Sequence, residues 1–143
     1  MRVTRRYRFA ASHRLHSPAF SDQHNRELYG KCNNPHGHGH DYVLVVTAEG
    51  PVQAASGQVV HIPTLDRLVS DQVLREFDHR YLNVDLGEFR TLVATSENIM
   101  RVIEDRLMAH WSEVFPSGPR LDGIRLRETK RNVFELKPFE LKP

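Results

Sequence analysis

Hydrophobic and polar residues alternate along the first segment of the chain, residues 2–13. Period-two alternation of this kind is typical of a strand with one buried face. The face that we expect to be buried carries Val3, Tyr7, Phe9, Ala11 and His13. Residues 14–37 are rich in Pro, Asn, Gly, Ser and charge, so they predict a long loop, and such loops are usually functional. A second strand is predicted over residues 41–47, where β-forming side chains are concentrated.

Helical periodicity follows in two segments. Apolar residues recur at helical spacing over residues 65–77 and again over residues 96–111. Residues 121–128 and 132–136 then predict a β-hairpin. The element order β-β-α-α-β-β favours an α+β fold, in which an antiparallel sheet carries two helices on one face.

Length and composition are those of one globular domain, which we expect over residues 1–143. The segment FELKP at residues 134–138 recurs at residues 139–143, so residues 137–143 are interpreted as a tail. No apolar run approaches the ~18 residues that a membrane span needs, and the basic N-terminus lacks the apolar stretch of a signal peptide. These features predict a cytoplasmic protein that does not cross a membrane.

Charge and cysteine content narrow the class further. A net charge of +2, without aromatic residues interleaved among the Lys and Arg, argues against nucleic acid as a partner. It remains compatible with a small polyanionic substrate if a few basic side chains converge on one pocket. The single cysteine, Cys32, excludes an intrachain disulfide bond.

Histidine is the unusual component, with nine in the chain and three of them within residues 36–40. His38 and His40 lie two apart at the entry to the second predicted strand, so their imidazoles project from the same face. His13 ends the first predicted strand in phase with its buried side. Three neutral imidazoles would leave one position of a tetrahedral zinc ion open, as in catalytic zinc sites. Alternating histidines on a polar strand face are the alternative, and His36 shares the same parity.

A carboxylate also falls on a face that we expect to be buried. Ile124, Leu126 and Glu128 share parity in the predicted hairpin, so the apolar face of that strand ends in an acid. A buried carboxylate without a partner is costly, so Glu128 is expected to form a structural pair or to bind a ligand.

Five motifs, in chain order, resemble the 6-pyruvoyltetrahydropterin synthase family, and together they span about residues 3–136. They are FAASHRLHSP at 9–18, LYGKCNNPHGHGHDY at 28–42, FDHRYLN at 77–83, TSEN at 95–98 and RET at 127–129. The resemblance implies zinc ligands at three positions: His13, His38 and His40. It also implies that Cys32 is the catalytic thiol and that Asp78 and His79 relay protons with it.

The same resemblance implies that Glu128 holds the pterin ring and that Thr95, Ser96 and Glu97 line the pocket. Several of these residues have simpler alternatives. Cys32 on its own is typical of core packing, and Asp78–His79 could merely close the first predicted helix. Glu97 could serve the dipole of the second predicted helix from its first turn.

The family's activity is expected to follow. The resemblance implies a carbon–oxygen lyase that uses Zn²⁺ to convert 7,8-dihydroneopterin triphosphate to 6-pyruvoyl-tetrahydropterin, releasing triphosphate. It implies a tunnelling fold (T-fold), whose subunits join their sheets into a barrel. The expected assembly is a homo-hexamer, two trimers face to face, with active sites between subunits.

His36 leaves the subfamily open. Five residues separate Cys32 from His38, the spacing of the biopterin-type synthases, whereas three separate it from His36. The shorter spacing resembles that of the 6-carboxytetrahydropterin synthases of queuosine biosynthesis. The context of Cys32, together with Asp41 and Tyr42 after His40, favours the 6-pyruvoyl product, with the 6-carboxy product as the alternative. A non-catalytic zinc- or pterin-binding module on the same fold is a further alternative, which the presence of Cys32 and of the Asp–His pair disfavours.

Overall fold

The alternating segment at the N-terminus forms the first strand of one five-stranded sheet in a computed structural model that describes residues 1–137. Strand β1 (Arg2–His13) pairs antiparallel with β2 (His38–Glu49) over its full length, from Arg2 opposite Glu49 to His13 opposite His38. Strand β4 (Arg120–Arg127) pairs with the other side of β2, and β5 (Val133–Leu136) forms the edge beside β4. These four antiparallel strands confirm the predicted arrangement.

The fifth strand, β3 (Arg80–Tyr81), was not predicted. It lies beside β1 and runs parallel to it, so the sheet is mixed and has the order β3-β1-β2-β4-β5. A strand of two residues is too short to show an alternating pattern. It is recognised as a strand because its backbone pairs with Ala11 and Ser12 at the end of β1.

The predicted loop over residues 14–37 also contains regular structure, which corrects that expectation. It holds helix α1 (Asp22–Tyr29) and a 3-10 turn, Gly30–Asn33. Helix α1 buries a single residue, Asn25, and its one aliphatic side chain, Leu28, is exposed, so hydrophobic periodicity could not reveal it. Its start carries a sequence signal, because the Ser21 hydroxyl accepts a hydrogen bond from the backbone N–H of His24.

The remaining helices lie between β2 and β4 in the sequence. The first predicted helix is α2 (Ile62–Val69), which continues through a π-helical turn (Ser70–Leu74) into α3 (Arg75–Phe77). A short helix, α4 (Leu82–Asp85), follows β3, and the second predicted helix is α5 (Ser96–Val114). None of these helices is long and apolar enough, within residues 1–137, to span a membrane.

The core lies between the helices and one face of the sheet. The buried positions of α5 recur every four residues, at Ile99, Ile103, Leu107 and Trp111, and pack toward the sheet. Burying each such large apolar side chain stabilises the fold by about 1.5–3 kcal/mol. The opposite face of the sheet carries threonines, valines and arginines, and no helix of the described chain covers it. Of the predicted tail, residues 138–143 lie outside the described residues.

Candidate metal centre and active site

Three histidines and one glutamate converge at one end of the helix-covered sheet face. His13 and His38 are directly paired across β1 and β2, His40 lies two residues further along β2, and Glu128 follows the last residue of β4. One ligand atom from each of the four side chains lies within 4.8 Å of the other three. The strand register therefore brings together every histidine for which the resemblance implies a ligand role, and it adds a carboxylate.

His13 is oriented for metal binding by its own hydrogen bond to the backbone. Its side chain is 1% exposed, and its Nδ1 donates a hydrogen bond of 2.7 Å to the backbone oxygen of Ala94. Because that oxygen can only accept, the proton of the neutral ring is on Nδ1 and the lone pair of Nε2 faces the cluster. Burial lowers the pKa of His13 to about 4, despite the favourable contact with Ala94. The ring is therefore neutral at physiological pH, as a ligand must be.

Two ring nitrogens in the cluster lack hydrogen-bond partners. His40 Nε2 lies 3.0 Å from Glu128 Oε1, but this approach is not a hydrogen bond, and the nitrogen is unpartnered among residues 1–137. His38 Nδ1 is likewise buried without a partner, and burial together with the neighbouring His40 lowers the pKa of His38. Buried polar atoms without partners are rare in folded proteins. Three imidazole nitrogens fit a catalytic zinc ion in type and number, and the Glu128 carboxylate lies beside them.

Glu128 is held between the histidines and the start of α5. The hydroxyl of Ser96, a buried residue, donates to Glu128 Oε2 at 2.9 Å, which leaves Oε1 facing His40. Thr95 is the N-cap of α5, and its hydroxyl accepts from the backbone N–H of Asn98. Glu97 lies exposed in the first turn of the helix, where a carboxylate interacts favourably with the helix dipole. Of the three residues predicted to line the pocket, Ser96 is thus the one in direct contact with Glu128.

Cys32 is fixed to the end of β1 through its own turn. The backbone N–H of Leu15 donates to the backbone oxygen of Cys32 at 2.8 Å, and Asn33 Nδ2 donates to the backbone oxygen of Leu15 at 2.7 Å. Burial raises the pKa of the half-buried Cys32 thiol, and the charge of Glu128 raises it further. The polypeptide alone therefore opposes formation of the thiolate, whereas a cation bound in the histidine cluster would favour it.

Asp78 and His79 occupy a tight turn between α3 and β3, as expected for sequence neighbours whose side chains interact. His79 has a φ of 59°, and its Nδ1 lies 3.0 Å from Asp78 Oδ1. The turn is held against β1, because Ala10 N–H donates to Asp78 Oδ1 and His79 N–H donates to the backbone oxygen of Ala10. The His79 side chain is 83% exposed and borders an open groove of about 600 Å³. Within the described chain, no hydrogen bond or ion pair joins this pair to Cys32.

Tyr42 and His36 lie on either side of His38 and His40 in the sequence. Tyr42 follows His40 in phase on β2, its ring lies 5.6 Å from that of His40, and its buried hydroxyl has no partner among the described residues. Tyr42 was not predicted as a site residue, although its shared parity with His38 and His40 was the available signal. His36 is exposed and lies outside the cluster, one residue before Gly37, whose φ is 73°. A side chain at Gly37 would meet Tyr81 at 2.8 Å, which explains the glycine.

A single sheet with helices on one face, and a His₃Glu cluster at its end, defines an α+β T-fold unit with a potential metal centre. The 6-pyruvoyl tetrahydropterin synthase family model matches residues 2–138. The chain belongs to this family, which confirms the resemblance seen in the sequence.

Individual relatives agree with this assignment. The chain is 40% identical over 131 residues to 6-pyruvoyl tetrahydrobiopterin synthase of Homo sapiens, with 92% of this chain and 87% of that protein covered. The synthase of Pongo abelii gives the same identity and coverage. The solved structure of Caenorhabditis elegans 6-pyruvoyl tetrahydropterin synthase superposes with a TM-score of 0.89 at 39% identity, covering 96% of this chain and 94% of that one. These relatives support an enzyme of the synthase type.

Proposed function

We propose that this protein is a zinc-dependent lyase that converts 7,8-dihydroneopterin triphosphate to 6-pyruvoyl-tetrahydropterin with elimination of triphosphate. The observation that carries the proposal is the convergence of His13, His38, His40 and Glu128. Within it, one ring nitrogen of His38 and one of His40 are buried without a partner among the described residues. The names of the relatives supply the pterin chemistry.

The three histidines would hold the zinc ion. The backbone oxygen of Ala94 fixes the tautomer of His13, which is the kind of outer contact that orients a metal ligand. When bound, zinc supplies Lewis-acid polarisation of the substrate's side-chain oxygens, which acidifies the adjacent C–H bonds. The conversion is an internal redox reaction with loss of triphosphate, so no external oxidant is required.

Glu128 binds the pterin ring in this proposal. The 2-amino group and N3–H of a pterin form a planar pair of donors, and a carboxylate accepts such a pair with two parallel hydrogen bonds. Ser96 holds Oε2 of Glu128 and thereby fixes the orientation of the carboxyl group before substrate binds. Because Oε1 faces His40 in the free chain, substrate binding would replace that contact by hydrogen bonds to the pterin edge.

Cys32 removes protons from the substrate side chain, and the Asp78–His79 pair exchanges protons with it. Asp78 Oδ1 lies 3.0 Å from His79 Nδ1, so the carboxylate orients the ring and leaves the other ring nitrogen available for proton transfer. Proton transfer requires contact or a single bridging water. Because His79 is largely exposed and unconnected to Cys32 within the described chain, we propose that His79 serves the Cys32 of a neighbouring subunit.

A site in which His79 serves the Cys32 of a neighbouring subunit requires an oligomer, and we propose a homo-hexamer of two trimers. The sheet ends in short edge strands, β3 with two residues and β5 with four. Unpaired strand edges are normally covered or closed into a barrel. Joining the sheets of neighbouring subunits would close these edges and bring exposed residues near β3 to another chain.

The position of His36 bears on the product. The residues that converge are those at the longer spacing from Cys32, and His36 lies outside the cluster. This supports the 6-pyruvoyl product over the 6-carboxy product. The test is to incubate the zinc-loaded protein with 7,8-dihydroneopterin triphosphate and to identify the pterin by chromatography and mass spectrometry, with release of triphosphate measured in parallel. Acetaldehyde and a 6-carboxy-pterin would overturn the proposed product, and substrate binding without turnover would indicate a binding module.

A further inference from the structure

The sheet face opposite the helices carries a regular array of arginines. In one cross-strand row Val45 lies between Arg6 and Arg125, and in the next row Val43 lies between Arg8 and Arg127. We call the four arginines, Arg6, Arg8, Arg125 and Arg127, the arginine frame. From standard strand spacings, the frame measures roughly 10 Å across the strands and roughly 7 Å along them.

The charge of the frame is largely uncompensated. Arg125 lies 3.4 Å from Glu135, but both side chains are more than half exposed, and such pairs contribute little. Arg6, Arg8 and Arg127 form no ion pair with any residue that the structure describes. Asp41 lies on β2 opposite Ala10 of β1. It places a negative charge between the frame and the end of the sheet that carries the histidine cluster.

Arginines elsewhere on the same sheet have acidic partners. At the other end, Arg2 lies 2.9 Å from Asp122, and Arg120 is shared between Glu49 and Asp122. Acidic partners therefore neutralise the arginines that begin β1 and β4, whereas Arg6, Arg8 and Arg127 have none among the described residues. Like charges on one sheet face repel each other, and an anion bound between them would relieve that repulsion.

Three arginines of the frame, Arg6, Arg125 and Arg127, line a depression with the chemistry of an anion site, and Arg8 lies beside it in the row of Val43 and Arg127. Its volume is about 360 Å³, and its lining residues are Thr4, Arg6, Val43, Val45, Arg125, Arg127 and Val133. Val43 is 5% exposed although no helix of the described chain covers it, and its cross-strand neighbours are Arg8 and Arg127, a residue type whose aliphatic stem can cover apolar surface. Guanidinium groups present planar pairs of donors that match phosphate oxygens, and several converging on one depression suit a chain of phosphates.

We propose that the arginine frame binds inorganic triphosphate, on the sheet face opposite the histidine cluster. The choice of triphosphate among linear polyphosphates rests on the proposed function, in which triphosphate is released. The frame is distinct from the catalytic residues, because the odd-numbered residues of β1 face the core and Arg6 and Arg8 face the other way.

The test measures the affinity of the metal-free protein for inorganic triphosphate by calorimetry at low salt. Removing the metal prevents chelation by triphosphate from contributing. The variant R6Q/R8Q should weaken binding at least about tenfold, because two charge-assisted contacts are lost. The matched control R2Q, on the same strand but already paired with Asp122, should change the affinity less than about twofold. A conservative variant, R6K/R8K, should retain intermediate affinity, since it keeps the charge and loses the paired donors.

Equal affinity of R6Q/R8Q and the unmodified protein would overturn the inference. So would equally tight binding of a short single-stranded DNA with the same charge, which would indicate a general polyanion surface. Initial rates at low product should be unchanged in R6Q/R8Q. If the frame binds triphosphate as described but the protein does not turn over the pterin substrate, the proposed function fails and the anion site stands. If turnover occurs and R6Q/R8Q binds normally, the anion site alone is wrong.

Discussion

His13 and His79 are both assigned to one reaction, yet they lie in opposite environments. His13 is 1% exposed, neutral, and fixed by Ala94, whereas the side chain of His79 is 83% exposed and forms an ion pair with the neighbouring Asp78. A metal ligand benefits from a rigid, dry setting that one chain can build alone. A proton carrier must reach a partner, and among the described residues no hydrogen bond or ion pair joins the His79 side chain to any group other than Asp78. One chain therefore brings the potential metal ligands together by itself, whereas the His79 ring stays exposed to solvent.

The largest expected effect distinguishes proton removal from metal binding. Cys32→Ala should lower kcat by about 10³–10⁴-fold, because it removes the group that takes the proton, and it should keep the bound metal. Single-turnover rates and elemental analysis of the same preparation measure both properties. His110→Ala, a change on α5 at a residue that pairs with Glu113 and is outside the proposed machinery, provides the control. Near-normal turnover in Cys32→Ala would show that another group removes the proton.

Mixing inactive variants tests whether His79 serves another chain. Cys32→Ala and His79→Ala should each be nearly inactive, and subunits unfolded together and refolded as a mixture should regain activity at about one quarter of the sites. That fraction follows if each site draws its cysteine and its histidine independently from two chains. Each variant refolded alone is the control. A mixture that stays inactive while its subunits demonstrably exchange would place the whole site within one chain.

Substitution of three neighbouring histidines tests which of them bind the metal. His38→Ala or His40→Ala should lower zinc affinity at least about 100-fold, since each removes one inner ligand. His36→Ala should retain about one zinc per chain, because this exposed residue lies outside the cluster. Elemental analysis after dialysis against a weak chelator compares the three proteins. Loss of zinc from His36→Ala with retention in His40→Ala would shift the ligand set by two residues.

The smallest expected effect concerns the stability of the protein and the buried hydroxyl of Tyr42, whose ring lies beside that of His40. In the metal-free protein, Tyr42→Phe should raise the free energy of unfolding by about 1 kcal/mol, because it removes a buried hydroxyl without a partner among the described residues. Tyr7→Phe is the matched control, since the Tyr7 hydroxyl donates to Asp66 at 2.8 Å and its removal should lower the free energy of unfolding by about 1 kcal/mol. Urea unfolding measures both. A loss of stability in Tyr42→Phe would mean that water or another group satisfies the hydroxyl.

Local patterns in the sequence were sufficient for much of the fold. Alternation over β1 and helical spacing over α2 and α5 reflect burial of one face, a property that each segment carries by itself. Helix α1 was not predicted because it buries a single residue, and β3 was not predicted because two residues cannot show a period. The same alternation was enough to predict buried faces for His13 and Glu128 and a shared face for His38 and His40, because side chains in strands alternate strictly.

What the sequence determined by itself was therefore which side chains face the core and which motifs mark the family. Three other features depended on the tertiary structure. Parity could not separate His36 from His38 and His40, and the choice follows from β2 starting at His38, directly opposite His13. The environments of Cys32 and His79 follow from loops held by long-range hydrogen bonds, which no local pattern encodes. The arginine frame also needed the register, because Arg6 and Arg125 are distant in sequence and become neighbours only across β2.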